Sequence, residues 1–229
     1  YDYNGDTPIK PASNMKLITT AAALDVLGED YRFKTSLYTS GKLSNGVLKG
    51  DVYLQGQGDP TLMEEDLRQF AQTLKAKGIQ TIDGRIVGDD KWFDDDLLTP
   101  GIWANDESYY YAAPISALTT SPNADYDSGT IIIDVNGSAI GNAPTVKATP
   151  HLGDLEIVNQ AQTVAAGQSN TITIERSYRT NQVVISGNLP IDKTKREWVT
   201  MLHPTTHTLT MFQAVLEDVG IEYKKHKFF

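Results

Sequence analysis

Residues 17–27 form a run with apolar side chains on nearly every helical face: Leu17, Ile18, Ala21, Ala22, Ala23, Leu24, Val26 and Leu27, closed by Gly28. A helix of that composition is expected to be buried rather than half-solvated. Pro11 stands just before the run and Gly28 just after it, the usual start and stop signals of a helix. The opening turn reads Pro11-Ala12-Ser13-Asn14-Met15-Lys16. It therefore sets a serine and a lysine at the N-terminal end of an apolar helix, where both the helix dipole and burial disfavour a cation.

Those penalties are what a general base needs. Ser13 and Lys16 are three residues apart, so their side chains share one helix face. A serine hydroxyl is a poor nucleophile until a base takes its proton, and an amine serves as that base when burial keeps it neutral. The amides of the first turn point towards Ser13 and suit an oxyanion formed in acyl transfer. The plainer reading makes Ser13 an N-cap and Lys16 a solvated charge. About one Ser-x-x-Lys is expected by chance in a chain this long, so spacing alone leaves both readings open.

At 229 residues the chain has room for one large domain or two. With no cysteine it has no disulfide, thiolate metal site or cysteine nucleophile. The net charge of −9 argues against a general nucleic-acid binder, since only Lys224, Lys225 and Lys227 cluster. No apolar run approaches membrane-spanning length and no signal peptide is visible. The first residue is Tyr1, which suggests a processed or trimmed chain, and residues 1–10 suggest the tail of a strand followed by a turn at Asn4-Gly5-Asp6.

After the helix, alternation predicts strands over 31–39 and 47–55, with turns at Ser40-Gly41 and Asn45-Gly46. A sharp loop follows at 56–60, without the spacing of a phosphate loop. An amphipathic helix over about 63–77 presents Leu67, Phe70, Ala71 and Leu74, and a strand covers about 81–88. Further strands are predicted over 130–135, 155–159, 171–176 and 182–186, in a stretch expected to be architectural. A last helix over 205–219 spaces Leu209, Phe212, Ala214, Val215 and Leu216 for burial.

Asp89, Asp90, Asp94, Asp95 and Asp96 invite a calcium reading, but their spacing fits no calcium loop; a solvated loop with helix-capping aspartates is expected. His203 and His207 have the i, i+4 spacing of a zinc helix, yet the glutamate is missing and Pro204 follows the first histidine, so no metal is expected. Residues 103–111, Trp-Ala-Asn-Asp-Glu-Ser-Tyr-Tyr-Tyr, set aromatics among carboxylates. Such a stretch suits either a pocket wall for a cationic group or an aromatic loop packed on an interface.

Residues 11–17 resemble the active-site segment of serine penicillin-binding proteins. Residues 56–62 (GQGDPTL), Gly88-Asp89-Asp90, 103–111 and 113–123 (APISALTTSPN) are similar, in order, to the class C low-molecular-mass D-alanyl-D-alanine carboxypeptidases/endopeptidases. The resemblance implies an α+β fold in which part of a β-lactamase/transpeptidase-like core is interrupted by large β-rich inserted domains. Its expected division is 1–31 for the start of the core, 32–127 and 128–197 for two inserted β-rich regions, and 198–229 for a truncated return towards the core.

The resemblance also implies an acyl-enzyme mechanism, with Ser13 attacking the penultimate D-alanine carbonyl and Lys16 accepting its proton. Peptidoglycan stem peptides would be substrates, β-lactams would trap Ser13, and no cofactor is implied. In similar enzymes an insert loop recognises the free amino end of a diaminopimelate side chain. Trp103, Asp106 and Tyr111 match it, with Asp106 pairing with the ammonium; Glu107 is the neighbouring acid with which Asp106 would be confused.

The family also uses Ser-x-Asn and Lys-Thr-Gly, and Lys-Thr-Gly is absent from these residues. Ser121-Pro122-Asn123 and Ser186-Gly187-Asn188 fit Ser-x-Asn only formally, so the rest of the site is expected on a remainder of the same protein. The alternatives are a truncated, non-catalytic wall-binding fragment and, less well matched, an esterase or β-lactamase of related core. Peptidoglycan as substrate implies an extracytoplasmic location, secreted or held at the cell envelope.

Overall fold

The computed structural model describes residues 5–150 and 154–224. The chain divides into two compact units, Tyr1–Phe33 and Lys34–Phe229. In the first, a 3-10 turn (Ala12–Asn14) runs straight into α1 (Met15–Leu27). Gly28 ends the helix as expected: its φ is +79°, and its N–H donates to the Leu24 carbonyl at 3.0 Å. Gly5 and Asp6 form a turn, while the expected strand tail lies largely outside the described residues.

The expected burial of α1 is not met, because none of its residues is buried. Leu17, Ile18, Leu24 and Val26 are all more than half exposed. The reason is geometric. Apolar residues encircle this helix, so covering it takes several neighbours, and no second helix or strand occurs among the described residues of this unit.

The second unit begins with β1 (Thr35–Thr39), β2 (Lys42–Ser44), β3 (Val47–Lys49) and β4 (Val52–Gly56). β2 and β3 form a hairpin around Asn45-Gly46, both at positive φ, the conformation a two-residue turn between twisted strands requires. The single strand expected over 47–55 is in fact two. It breaks at Gly50-Asp51 because Gly50 lies against the Ser40 carbonyl, where a Cβ would sit at 2.0 Å. α2 (Glu64–Ala76), β5 (Thr81–Ile82) and β6 (Ile86–Asp89) follow. β1-β4-β6 make one sheet, with β1 antiparallel and β6 parallel to β4.

Then come β7 (Thr130–Asn136), β8 (Thr145–Thr149), β9 (Glu156–Asn159), β10 (Gln162–Val164), β11 (Thr173–Arg176), β12 (Gln182–Ser186), β13 (Asn188–Pro190) and β14 (Thr194–Thr200). α3 (Pro204–Asp218) and β15 (Glu222–Tyr223) close the described chain. β14-β7-β8 and β11-β12-β9 form three-stranded sheets, β10 pairs with β13, and β15 joins β5, β3 and β2.

Two apolar cores result. One gathers Leu48, Leu54, Leu67, Leu74 and Ile82 with Phe212, Val215 and Leu216 of α3. The other gathers Ile131, Ile133, Ile174, Val183, Ile185, Val199 and Met201 from the later strands. α3 buries the side expected of it, except that Ala214 is exposed.

Candidate functional site

Ser13 is the middle residue of the 3-10 turn and Lys16 falls in the first turn of α1, so the local chain sets them three residues, about one helical turn, apart. Both are exposed. The residue before Ser13, Ala12, is held at φ +45°, a region costly for a residue with a Cβ and common where a reactive side chain is presented.

The aromatic stretch lies in the second unit as two short 3-10 turns, Ala104–Asp106 and Tyr110–Ala112. The Asp106 N–H donates to the Trp103 carbonyl at 2.8 Å, and the Tyr109 N–H to the Asp106 carbonyl at 3.0 Å. This winding brings Asp106 and Tyr111 together: Tyr111 Oη donates to Asp106 Oδ1 at 3.3 Å. Tyr109 stacks on Tyr111 with ring centroids 5.7 Å apart, and Tyr110 meets Tyr111 edge-on. Trp103 is 76% exposed and Tyr111 59%, so an aromatic wall faces solvent around a half-buried carboxylate. That surface suits a cation, which gains both the carboxylate and the π-faces.

Glu107 has a different task. Its carboxylate is buried and lies 4.0 Å from the guanidinium of Arg176, whose side chain is 1% exposed. Arg176 Nη2 donates to the Glu107 carbonyl at 2.9 Å and Nη1 to the Thr180 carbonyl at 2.9 Å. Burial pushes the Arg176 guanidinium down, and the Glu107 charge opposes it. Of two adjacent acids, one is spent inside the fold and the other is left to meet solvent. Arg176 is not apparent from the sequence, because 128–189 shows no site constellation; the one signal is a lone arginine ending a strand of alternating threonine and isoleucine.

Three motif segments prove to be a clasp. The Gly58 N–H donates to the Ala117 carbonyl at 2.9 Å, the Ser121 N–H to the Leu62 carbonyl at 2.8 Å, and Ser121 Oγ to the Pro60 carbonyl at 2.7 Å. Ser116 Oγ lies 2.8 Å from Thr205 Oγ1, which also donates to Asp90. Asp89 accepts from Gln55 Nε2 at 2.7 Å, and Asp94 from the Asp96 N–H at 3.1 Å. The expected helix-capping aspartates thus act differently: they tie side chains and loop amides, with Asp90 reaching a hydroxyl of α3 rather than its backbone. Ser186 Oγ shares a hydrogen bond with Thr173 at 2.8 Å.

His203 sits at the start of α3, and His207 is buried with Nδ1 3.5 Å from Asp154 Oδ2. No cluster of three or more potential metal ligands occurs among the described residues. Lys224 pairs with Asp83, while Lys225 and Lys227 lie outside the described residues.

The several β-sheets and α-helices that follow the Ser-x-x-Lys helix in sequence are consistent with part of a β-lactamase/transpeptidase-like core carrying inserted β-rich domains. The same fold occurs in penicillin binding protein 4 (dacB) from Haemophilus influenzae, with a TM-score of 0.81 over 98% of this chain and 49% of that one, at 23% identity. Residues 1–226 match the D-Ala-D-Ala carboxypeptidase 3 (S13) family, and the chain belongs to it.

A D-alanyl-D-alanine carboxypeptidase of Actinomadura sp. (strain R39) is 38% identical over 225 residues, 98% of this chain and 42% of that protein. The D-alanyl-D-alanine carboxypeptidase DacB of Haemophilus influenzae is 35% identical over 126 residues, 55% of this chain and 26% of that protein. The chain thus spans less than half the length of these relatives. No described helix is long and apolar enough to cross a membrane.

Proposed function

We propose that this chain carries the nucleophile helix and the substrate-side loop of a serine D-alanyl-D-alanine carboxypeptidase/endopeptidase acting on peptidoglycan stem peptides. Ser13 Oγ attacks the carbonyl of the penultimate D-alanine while Lys16 takes the hydroxyl proton. The peptide bond breaks, the terminal D-alanine leaves as the amine with that proton returned to it, and water then releases the shortened peptide from Ser13. The first-turn amides supply part of the stabilisation of the oxyanion. Asp106 receives the ammonium of the peptide's side chain between Trp103 and Tyr111.

The division into 1–31, 32–127, 128–197 and 198–229 belongs to the same reading: a core segment, two inserted regions, and a return through α3. A further segment of the protein supplies Ser-x-Asn and Lys-Thr-Gly. The protein works outside the cytoplasm, where its substrate lies. The observation that carries the recognition half is the division of labour between two adjacent acids, with Glu107 held by Arg176 and Asp106 left facing solvent among aromatics.

Intact mass of the full-length protein before and after penicillin tests the chemistry. Opening of the β-lactam ring by Ser13 adds the whole mass of the penicillin, and Ser13→Ala abolishes that gain. If the protein gains no mass but binds peptidoglycan, it is instead a non-catalytic wall-binding protein.

A further inference from the structure

We propose that Arg176 is a positioning residue for substrate selectivity, fixing the backbone of loop 103–111 so that Asp106 meets a cationic side chain of the substrate. This rests on the reading of Asp106 just given and names what holds it in place. Arg176 ends β11 and reaches out of its own sheet to three places at once. Nη2 donates to the Glu107 carbonyl, Nη1 to the Thr180 carbonyl, and Nε to Thr200 Oγ1 of β14 at 3.3 Å. The Thr200 hydroxyl donates to the same Glu107 carbonyl.

The next loop residue is held equally. Ser108 Oγ accepts the Arg176 backbone N–H at 2.7 Å, and the Ser108 carbonyl accepts the Thr200 N–H at 3.2 Å. The two residues that follow Asp106 are therefore fixed by four hydrogen bonds from Arg176 and Thr200, with the Glu107 carboxylate 4.0 Å from the guanidinium beside them. Glu107, Ser108, Arg176 and Thr200 are all buried, Thr200 at 0% exposed and the Arg176 side chain at 1%. The opposite side of the loop carries the exposed rings and Asp106.

A buried guanidinium is an expensive way to hold a loop, since a well-packed apolar residue is often neutral or stabilising in its place. What it supplies is direction. Its planar fork fixes carbonyls at set angles, which the single point charge of a lysine does not reproduce. Positioning matters here because a displacement of about 1 Å at a binding group costs on the order of a hundredfold in rate.

The test uses the full-length protein and two D-Ala-D-Ala peptides that differ only in whether the side-chain ammonium is free or acetylated. Wild type prefers the free ammonium. If it treats both alike, the Asp106 reading itself falls, and this proposal with it. If wild type discriminates, Arg176→Lys and Thr200→Val should lower the preference about tenfold through KM, and Thr200→Ser should restore it. An unchanged preference in the folded variants, or an equal loss on both peptides through kcat, overturns the positioning role. Should Arg176→Lys fail to fold, the Thr200→Val and Thr200→Ser pair decides alone.

Discussion

Tyr111 Oη donates to Asp106 Oδ1 across 3.3 Å, from five positions further along the loop. Desolvation of the phenol, and then the Asp106 charge beside it, hold Tyr111 above its ordinary value. The phenol hydroxyl takes up one Asp106 oxygen and leaves the other to face a ligand.

Exchanging the two adjacent acids separates recognition from folding. Asp106→Asn should raise KM for a peptide with a free ammonium about tenfold, or about 1.4 kcal/mol, without moving the unfolding temperature. Glu107→Gln should do the reverse, because it disturbs a buried charge facing Arg176; about 2 kcal/mol of stability is expected to go. Peptide kinetics and thermal unfolding on both variants check this, and a shared phenotype would sink the distinction.

The clasp between residues 56–62 and 113–123 depends on the absence of a side chain at Gly56. A Cβ there would lie 2.0 Å from the Ala117 carbonyl oxygen and 2.5 Å from the Leu118 Cα, both backbone atoms that cannot swing aside. Gly56→Ala is expected to destabilise the second unit by about 3 kcal/mol. Denaturant unfolding measures it; a loss below about 1 kcal/mol would mean that the clasp yields easily.

Much of this fold was legible because its signals are local. The Asn45-Gly46 turn, the apolar side of α2 and the glycine stop of α1 each follow from a few neighbouring residues. β14 escaped because Lys195, Arg196 and Glu197 mask its alternation; they are solvated side chains of a paired strand, and Arg196 Nε meets Asp134 Oδ1 of β7 at 2.6 Å. Asp106 and its rings stood out as a composition, and the family resemblance singled out Asp106 from Glu107. Why Glu107 is spent elsewhere was not legible, since Arg176 lies 69 residues away and arginine is ordinarily solvated.

The ion pair between Asp51, just before β4, and Arg85, just before β6, carries a pH-dependent contribution. Arg85 donates to Asp51 Oδ2 from Nη2 at 2.7 Å and from its backbone N–H to Oδ1 at 2.8 Å, and these bonds bring the Asp51 carboxyl down to about 2. A carboxylate depressed on folding stabilises above its unfolded value, about 3.9, and loses that contribution as pH falls through the folded value. Asp51→Asn should therefore cost about 1 kcal/mol at pH 7, discounted because Arg85 is 66% exposed. The gap to wild type should close between about pH 4 and about pH 2. Unfolding midpoints across that range check it, and a gap that widens on acidification would contradict the assignment.

α3 offers the sharpest contrast between neighbouring positions. Phe212 is fully buried against the core that α2 lines with Leu67, Ala71 and Leu74, whereas Ala214 faces outward two residues later. Helical spacing had placed both inside, but a 3.6-residue turn puts positions two apart on opposite sides. Phe212→Ala removes a ring from a packed interior and is expected to cost about 3–5 kcal/mol. Ala214→Lys should stay within about 0.5 kcal/mol of wild type, since an exposed helix position accepts a lysine readily. Paired denaturant curves test this. A large loss at Ala214 would mean that its side of α3 is covered in the intact protein, while a small loss at Phe212 would remove α3 from the core of the second unit.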